Sequence, residues 1–140
     1  MTPTIRRATV RDVPAMHAIR KAARENRLSE TTLIREASYL PYIASGSSWI
    51  AEDAAGMLGF AAVDAQARWV WALFVRVGAE GAGVGQALHE RILSWARSQG
   101  IANLSLSTEE GSRAIKFYGR AGWQRTQTGP DGEVFFRRAV

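Results

Sequence analysis

Residues 73–88 read LFVRVGAEGAGVGQAL, and this stretch decides how the rest of the chain is interpreted. An apolar, strand-like segment runs into Gly81, Gly83 and Gly85, and a helical pattern follows at once. Glycine lacks the Cβ that would keep an oxygen atom away from the backbone, and the first amides of a helix have no intrahelical acceptor. The dipole of these amides also favours negative charge. The stretch therefore predicts an anion site, and the alternative is a tight turn that needs glycine only for its geometry.

Two common phosphate-binding motifs do not match this stretch. The chain contains no Gly-Lys followed by Ser or Thr, which excludes a P-loop. A dinucleotide fingerprint requires Gly-x-Gly-x-x-Gly near the start of the chain and an acidic residue about 20 positions later. Here the glycines follow the pattern Gly-x-Gly-x-Gly in mid-chain, although Glu109 and Glu110 come after the next predicted strand. Dinucleotide binding is therefore poorly supported.

Strand-like and helix-like patterns alternate on both sides of the turn. Their order is β-α-α-β-β-β-α-β-α-β-β, which predicts one α/β domain over residues 1–140 with a mixed sheet. Thr9 and Asp12 predict a capping box, and Pro41 is expected to interrupt the second helix. The apolar strand before the glycine turn is expected to be buried on both faces. The predicted strands cover residues 4–9, 49–51, 57–63, 68–77, 103–107, 123–128 and 133–138, and the helices cover 10–26, about 31–40, 83–98 and 112–120.

Composition narrows the classes of function. The chain has no cysteine and two histidines, His17 and His89, which excludes disulfides and thiolate sites and argues against a histidine metal site. The first residues lack the apolar region of a signal peptide, and no apolar run approaches membrane-spanning length, so the cytoplasm is the expected location. The net charge of +5 is spread along the chain. The preferred interpretation of this charge is a solvated basic surface. A multiply phosphorylated cofactor is the second interpretation, and nucleic-acid binding is the third.

Two motifs make the interpretation specific. The glycine stretch resembles motif A of the GCN5-related N-acetyltransferase (GNAT) superfamily, Gln/Arg-x-x-Gly-x-Gly/Ala, with Gly83 and Gly85 at its small positions. Residues 114–123, AIKFYGRAGW, are similar to motif B of that family, Ala-x-x-Phe-Tyr-x-x-x-Gly-Phe, with Trp123 in place of the last Phe. Together with the element order, the resemblance covers nearly the whole chain and implies a GNAT-type fold, with a central, mostly antiparallel mixed sheet flanked by helices. The chain departs from the family at Glu80, where Gln or Arg is usual, and at Gly111, where Asn is common.

The resemblance implies an acetyl-CoA-dependent N-acetyltransferase that acts on a primary amine of a small molecule or protein. Tyr118 is the implied general acid, because a phenol of pKa about 10 stays protonated at neutral pH and can protonate a thiolate of pKa about 8.5. A packing role is the alternative for Tyr118, and an ordinary exposed helix start is the alternative for Ser112 and Lys116. The implied CoA contacts are Leu73, Phe74 and Val75 with the pantetheine, Gly81, Ala82, Gly83, Val84, Gly85 and Gln86 with the pyrophosphate, and Ser112 and Lys116 with phosphate.

The general base is harder to place. Some family members have a Glu on the fourth or fifth strand, but here the fourth predicted strand has no carboxylate and the fifth is expected to end at Ser107. Proton removal through water, an acceptor that arrives neutral, and a carboxylate elsewhere are the alternatives. The candidate carboxylates, each of which could instead be a solvated surface charge, are Glu25, Glu52 and Glu109. The candidate acceptor contacts are Glu25, Asn26 and Trp71.

Three functions therefore compete at this stage. The first is a GNAT enzyme, and the second is a non-catalytic acyl-CoA-binding or regulatory module, kept open by the vacant base positions on the fourth and fifth strands and by Gly111 in place of the usual Asn. Nucleic-acid binding is third. No metal and no membrane partner are expected, and the oligomeric state, including a homodimer, is left open.

Overall fold

The computed structural model describes residues 3–23 and 34–140. Glu25 and Asn26, two of the expected acceptor contacts, lie outside the described residues. The strands are β1 (Thr4–Arg7), β2 (Ser48–Asp53), β3 (Gly56–Asp64), β4 (Trp69–Val75), β5 (Asn103–Glu109), β6 (Gln124–Thr128) and β7 (Glu133–Ala139). The helices are α1 (Val13–Ala23), α2 (Leu40–Ala44), α3 (Val84–Ser98) and α4 (Arg113–Arg120), and short 3-10 turns cover Val10–Asp12 and Glu36–Tyr39. The predicted order of helices and strands is confirmed.

The described strands form one sheet in the order β1-β2-β3-β4-β5-β7-β6. Every neighbouring pair is antiparallel except β4 and β5, which run parallel. A parallel pair needs a crossover connection, and α3 supplies it between these two strands. The sheet is therefore mixed and mostly antiparallel, as expected.

Helices cover both faces of this sheet. We call the face that packs against α3 and α4 the α3 face, and the face that packs against α1 and α2 the α1 face. The largest fully buried side chains of the α3 face are Trp49, Leu88, Ile92, Leu104, Leu106, Val63, Val84 and Val134. Those of the α1 face are Met16, Tyr39, Ile50 and Phe60. Burial of apolar side chains on both faces supplies the main driving force for folding.

The start of the first helix follows the predicted capping pattern. The backbone N–H of Thr9 donates to the Asp12 carboxylate at 2.7 Å, in a 3-10 turn that leads directly into α1. The second helix differs from the prediction in its position. Within the described part of the predicted range, residues 34–35 are not helical and residues 36–39 form a 3-10 turn, and α2 starts only at Leu40 and continues through Pro41. Pro41 is the second residue of α2, where its missing N–H has no intrahelical acceptor to lose.

Two strand predictions are wrong in ways that matter for the site. β4 is not buried on both faces, since only Val70 and Ala72 are fully buried and its other residues are half-buried. Its half-buried side chains pack at the margins of the two cores, Leu73 and Val75 on the α3 face and Trp71 and Phe74 on the α1 face. The fifth strand does not end at Ser107 but continues to Glu109, paired throughout with β7. A carboxylate therefore does stand on the fifth strand.

Candidate functional site

The centre of the sheet opens between β4 and β5. The two strands share one register pair, Trp69 with Ser105. At this pair the Ser105 N–H donates to the Arg68 carbonyl at 2.9 Å. In the described structure no further pairing follows along the remainder of β4. The carboxyl-terminal half of β4 thus borders a gap in an otherwise continuous sheet.

Backbone groups of β4 line this gap. The Arg76 N–H donates to the Leu58 carbonyl at 2.7 Å. The residues two and four positions before Arg76 therefore also direct their backbone N–H and C=O groups toward β3. Antiparallel pairing alternates, and Leu73 and Val75 therefore direct their N–H and C=O groups toward the gap. Phe74, the third residue expected to hold the pantetheine, pairs with Phe60 and offers its side chain instead. An extended amide chain can hydrogen-bond to such an edge as an added strand would.

The glycine turn leads from the end of β4 to the first residue of α3. Gly81 and Gly83 have φ values of +82° and +81°, which strain any residue with a side chain, and a Cβ built on either would meet no atom within 4 Å. Gly83 is the N-cap of α3 and places no side chain over the first amides of the helix. Gly85, by contrast, is helical and lies against Phe117, 3.6 Å from its built Cβ. The turn thus presents uncapped amides to open space, the arrangement that binds an anion.

Glu80 is the residue whose charge conflicts with an anion site. Its carboxylate accepts a hydrogen bond of 2.7 Å from the Gly78 N–H and lies 3.7 Å from the Arg113 guanidinium. Backbone N–H groups of Glu80 itself and of Gly78 hold the pKa of this carboxyl below its usual value, with Arg113 assisting. The Glu80 carboxylate is therefore held by the backbone at the β4 end of the turn, and it faces the Arg113 guanidinium at the start of α4.

Tyr118, in the second turn of α4, lies in an aromatic cluster. The side chain is 6% exposed, and burial raises the pKa of its phenol. Its ring meets Phe117 at 5.2 Å, Trp123 at 5.5 Å and Phe136 at 6.0 Å between centroids. A buried phenol with a raised pKa stays protonated at neutral pH, so it is present in the form of a proton donor, although the same shift makes it a weaker acid than a free phenol.

The start of α4 carries the two remaining residues that were expected to bind phosphate. Ser112 is the N-cap, and its hydroxyl lies 3.2 Å from that of Thr108 on β5. Lys116 is exposed one turn further on. Gly111, just before the cap, has a φ of +78°, a conformation that glycine adopts freely and that Asn tolerates better than most residues. The Asn that is common here in the GNAT superfamily would fit the same backbone.

The α1 face carries the carboxylate that ends β5. Glu109 alternates with the buried core residues of β5 and so lies on this face, directly opposite Glu133 of β7. Sequence reasoning missed Glu133, since nothing in its own neighbourhood indicates what it would face. Glu52, another candidate base, is bound to the Arg6 guanidinium at 2.8 Å on β2 and is separated from the gap by β3.

Trp71, the expected acceptor contact on β4, stands in an aromatic group on the α1 face. Its ring stacks on Tyr42 at 4.7 Å and meets Tyr39 edge-on at 5.3 Å. The guanidinium of Arg20, 8% exposed on α1, lies 4.6 Å from the Trp71 ring and 4.9 Å from that of Phe74. Sequence reasoning missed Arg20 because it shares the helical stripe of the apolar residues of α1. The structure thus places a buried cation beside the strand that borders the gap.

Comparison with known proteins gives the same family as the two motifs. Residues 44–125 match the model of the Acetyltransferase (GNAT) domain. No curated protein matches the sequence significantly. Within residues 3–23 and 34–140, no helix has the length and apolarity needed to cross a membrane, and no group of three or more His, Asp or Glu side chains could hold a metal ion.

Solved structures show the same fold at low sequence identity. Ard1 from Thermoplasma volcanium superposes with a TM-score of 0.85 at 22% identity, over 100% of this chain and 99% of that one. The PaiA N-acetyltransferase from Thermoplasma acidophilum, solved in complex with coenzyme A, gives 0.84 at 14% identity over the full length of both chains. A GNAT superfamily phosphinothricin acetyltransferase from Sinorhizobium meliloti, solved with acetyl-CoA, gives 0.83 at 20%, over 100% and 89% of the two chains. With the family model matched over residues 44–125 and this fold around the gap, the chain belongs to the GNAT acetyltransferase family.

Proposed function

We propose that this chain is an acetyl-CoA-dependent N-acetyltransferase, formed by a single domain over residues 1–140, that acetylates a primary amine of a small molecule or protein. One observation carries the proposal. The open edge of β4 leads directly into the uncapped start of α3, and α4, which carries the buried phenol of Tyr118, follows β5 on the other side of the gap. Similar folds solved with coenzyme A or acetyl-CoA support the choice of donor.

The residues of the turn and of β4 suit coenzyme A in three respects. Gly81 and Gly83 leave space where any side chain would stand over the α3 amides, which would hold the pyrophosphate. The backbone of Leu73 and Val75 can pair with the pantetheine amides. Exposed Arg113 and Lys116 at the start of α4 add positive charge for phosphate, and Glu80 is turned back by its bond to the Gly78 N–H.

Acetyl-CoA supplies a thioester that an amine attacks directly, with a thiolate as the leaving group. In this chain Tyr118 donates its phenolic proton to that sulfur, and burial keeps the phenol protonated until then. One N–H of β4 facing the gap would stabilise the developing oxyanion, as a preorganised backbone donor does. The chain's own contribution is therefore placement and proton transfer.

The acceptor must lose a proton before or during its attack. We assign this role to Glu109, directly or through a water molecule, because it extends β5 on the α1 face beside the gap. Deprotonating a lysine-like amine at pH 7 costs about 4–5 kcal/mol, whereas an α-amine costs only about 1–1.5 kcal/mol. A weakly basic amine would thus make the smaller demand on Glu109.

The substitution Tyr118→Phe tests the proposal. Phe keeps the ring in its aromatic cluster and removes the proton, so we expect kcat to fall by at least about tenfold while the KM for acetyl-CoA changes little. Thiol release from acetyl-CoA in the presence of a panel of primary amines measures both constants. Unchanged kcat would remove Tyr118 from the mechanism. Tight binding of acetyl-CoA by calorimetry, without turnover on any amine, would instead indicate a non-catalytic acyl-CoA-binding module.

A further inference from the structure

A buried histidine lies next to the aromatic cluster of Tyr118 and has no part in the chemistry proposed above. His89 is in the second turn of α3 and is 6% exposed. Its Nε2 accepts a hydrogen bond of 2.8 Å from the indole N–H of Trp123. Because Nε2 is the acceptor, the proton of the neutral imidazole is on Nδ1. The bond joins the helix that begins at the glycine turn to the segment that follows α4.

Trp123 in turn fixes the surroundings of Tyr118. The Trp123 backbone N–H donates to the Tyr118 carbonyl at 3.0 Å, and the two rings meet edge-on at 5.5 Å. Phe117 completes the enclosure, 5.7 Å from the imidazole and 5.2 Å from the phenol. The Tyr118 ring is therefore held between side chains that His89 contacts directly.

The tryptophan is a departure of this chain from the motif that it otherwise resembles, in which position 123 is usually Phe. An indole adds an N–H that costs free energy when it is buried without an acceptor, whereas a phenyl ring has no such group. Trp123 is 4% exposed, so its N–H needs an acceptor within the protein, and His89 provides it. The two residues form a matched pair, in which either one alone would leave a buried polar atom unsatisfied.

The state of the imidazole suits this role at neutral pH. Burial lowers the pKa of His89 to about 4, and the positive charge of Arg138 contributes in the same direction. The other groups that face the imidazole are the rings of Phe117 and Trp123. His89 therefore stays neutral and keeps its acceptor atom throughout the physiological range.

We propose that His89 is a positioning residue for Tyr118, acting through its hydrogen bond to the Trp123 indole. The inference rests on the proposed function, in which Tyr118 protonates the leaving thiolate. Losing the bond frees the indole to rotate and widens the range of positions open to the phenol. The proton donor is then misplaced, while the glycine turn and the β4 edge that would hold the cofactor are unaffected.

The test compares His89→Leu, His89→Gln and Trp123→Phe with the double variant His89→Leu/Trp123→Phe. We expect His89→Leu to lower kcat by about tenfold, the effect of misplacing one proton donor, with the KM for acetyl-CoA within about twofold of wild type. His89→Gln keeps an acceptor oxygen near the position of Nε2 and should recover most of kcat. The double variant should be no slower than His89→Leu, because both variants remove the same bond. Trp95→Phe on α3, whose ring packs on Trp49 instead, is the matched control and should leave kcat unchanged.

Three outcomes separate the inference from the proposed function. If Tyr118→Phe is slow and His89→Leu adds nothing in that background, both hold. If Tyr118→Phe is slow but His89→Leu retains the wild-type kcat at a temperature where it is folded, the positioning role is wrong and the proposed function stands. If Tyr118→Phe has wild-type kcat, Tyr118 is not the proton donor and the positioning role fails with it, whereas the absence of turnover in the wild-type protein would overturn the proposed function itself. In parallel, the indole N–H resonance of Trp123 should shift in His89→Leu and not in Trp95→Phe, which checks the bond without any activity.

Discussion

Two glycines at opposite ends of α3 have the same backbone conformation but different surroundings. Gly83 precedes the helix with a φ of +81°, and Gly100 follows it with a φ of +73°. A Cβ built on either meets no atom within 4 Å, so a methyl group at both positions costs backbone strain and no steric clash. Only Gly83 stands over the uncapped amides that begin α3.

This symmetry gives a controlled test of the anion site. Gly83→Ala and Gly100→Ala should each lose about 1–2 kcal/mol of stability, because both force a left-handed alanine. Only Gly83→Ala should weaken acetyl-CoA binding, by about tenfold or more, measured by calorimetry below the unfolding temperature of both variants. Equal affinities for the two variants would mean that the pyrophosphate lies elsewhere.

At this scale the sequence predicted the residues whose chemistry is local. The glycine turn and Tyr118 follow from motifs in which neighbours along the chain define the site. The roles of Glu80, Arg20 and Glu133 depend on partners far along the chain or on another strand, such as the Arg113 guanidinium beside Glu80. Spacing in one sequence carries no information about such partners.

At the scale of elements, β3 and β4 are packed so closely that one position excludes any side chain. A Cβ built on Gly59 would lie 2.6 Å from the carbonyl oxygen of Phe74 and 3.1 Å from Val84. A backbone oxygen cannot turn aside as a flexible side chain can, so the strands themselves would have to separate. Gly119 in α4 offers the opposite case, since a Cβ there meets no atom within 4 Å.

Gly59→Ala should therefore act on both stability and cofactor binding. We expect a loss of about 1–3 kcal/mol from overpacking, measured by urea unfolding, and a higher KM for acetyl-CoA because β4 shifts at its open edge. Gly119→Ala adds the same methyl group inside a helix and should be neutral or stabilising by up to about 1 kcal/mol. A destabilised Gly59→Ala protein with an unchanged KM would show that the β4 edge does not contact the cofactor.

The element order was predictable because apolar periodicity is a local signal. The ends of strands were not. β5 extends past Ser107 to Glu109 because β7 pairs with it over the whole distance, a tertiary contact that a run of Ser, Thr and Glu does not indicate. The half-burial of β4 was equally hidden, because it depends on how the helices on the two faces cover the strand.

At the scale of the whole molecule, two buried or half-buried ionisable groups set the acid limit of stability in separate windows of pH. The pKa of His89 falls to about 4 because burial disfavours the imidazolium, so its neutral form stabilises the native state above pH 6.5. As the pH falls from 6.5 to about 4, the unfolded chain takes up a proton that the folded chain does not, and stability declines. The hydrogen bond from Arg6 holds the pKa of Asp12 below its usual value of 3.8, and this contribution is lost only in stronger acid.

Urea unfolding between pH 3 and pH 8 should resolve the two contributions. We expect the free energy of unfolding to drop by on the order of 3 kcal/mol between pH 6.5 and pH 4 because of His89. In the variant His89→Leu/Trp123→Phe, the free energy of unfolding should change little between pH 6.5 and pH 4. Asp12→Asn should leave the slope there intact and reduce the further decline at lower pH, by roughly 1 kcal/mol or less for a partly exposed ion pair. An unchanged slope in the double variant would show that another group titrates in this window.

The single pair between β4 and β5 has a mechanical consequence. The sheet consists of two plates, β1–β4 and β5–β7, hinged where Trp69 meets Ser105. Each plate is held by continuous antiparallel pairing, whereas the backbone contributes one register pair between the plates, and the apolar core of the α3 face spans both. Along the aperture between β4 and β5 the two plates are therefore joined by side chains of the α3 face and not by backbone. A ligand that enters the aperture along β4 would therefore displace no backbone hydrogen bond between strands beyond the pair of Trp69 and Ser105.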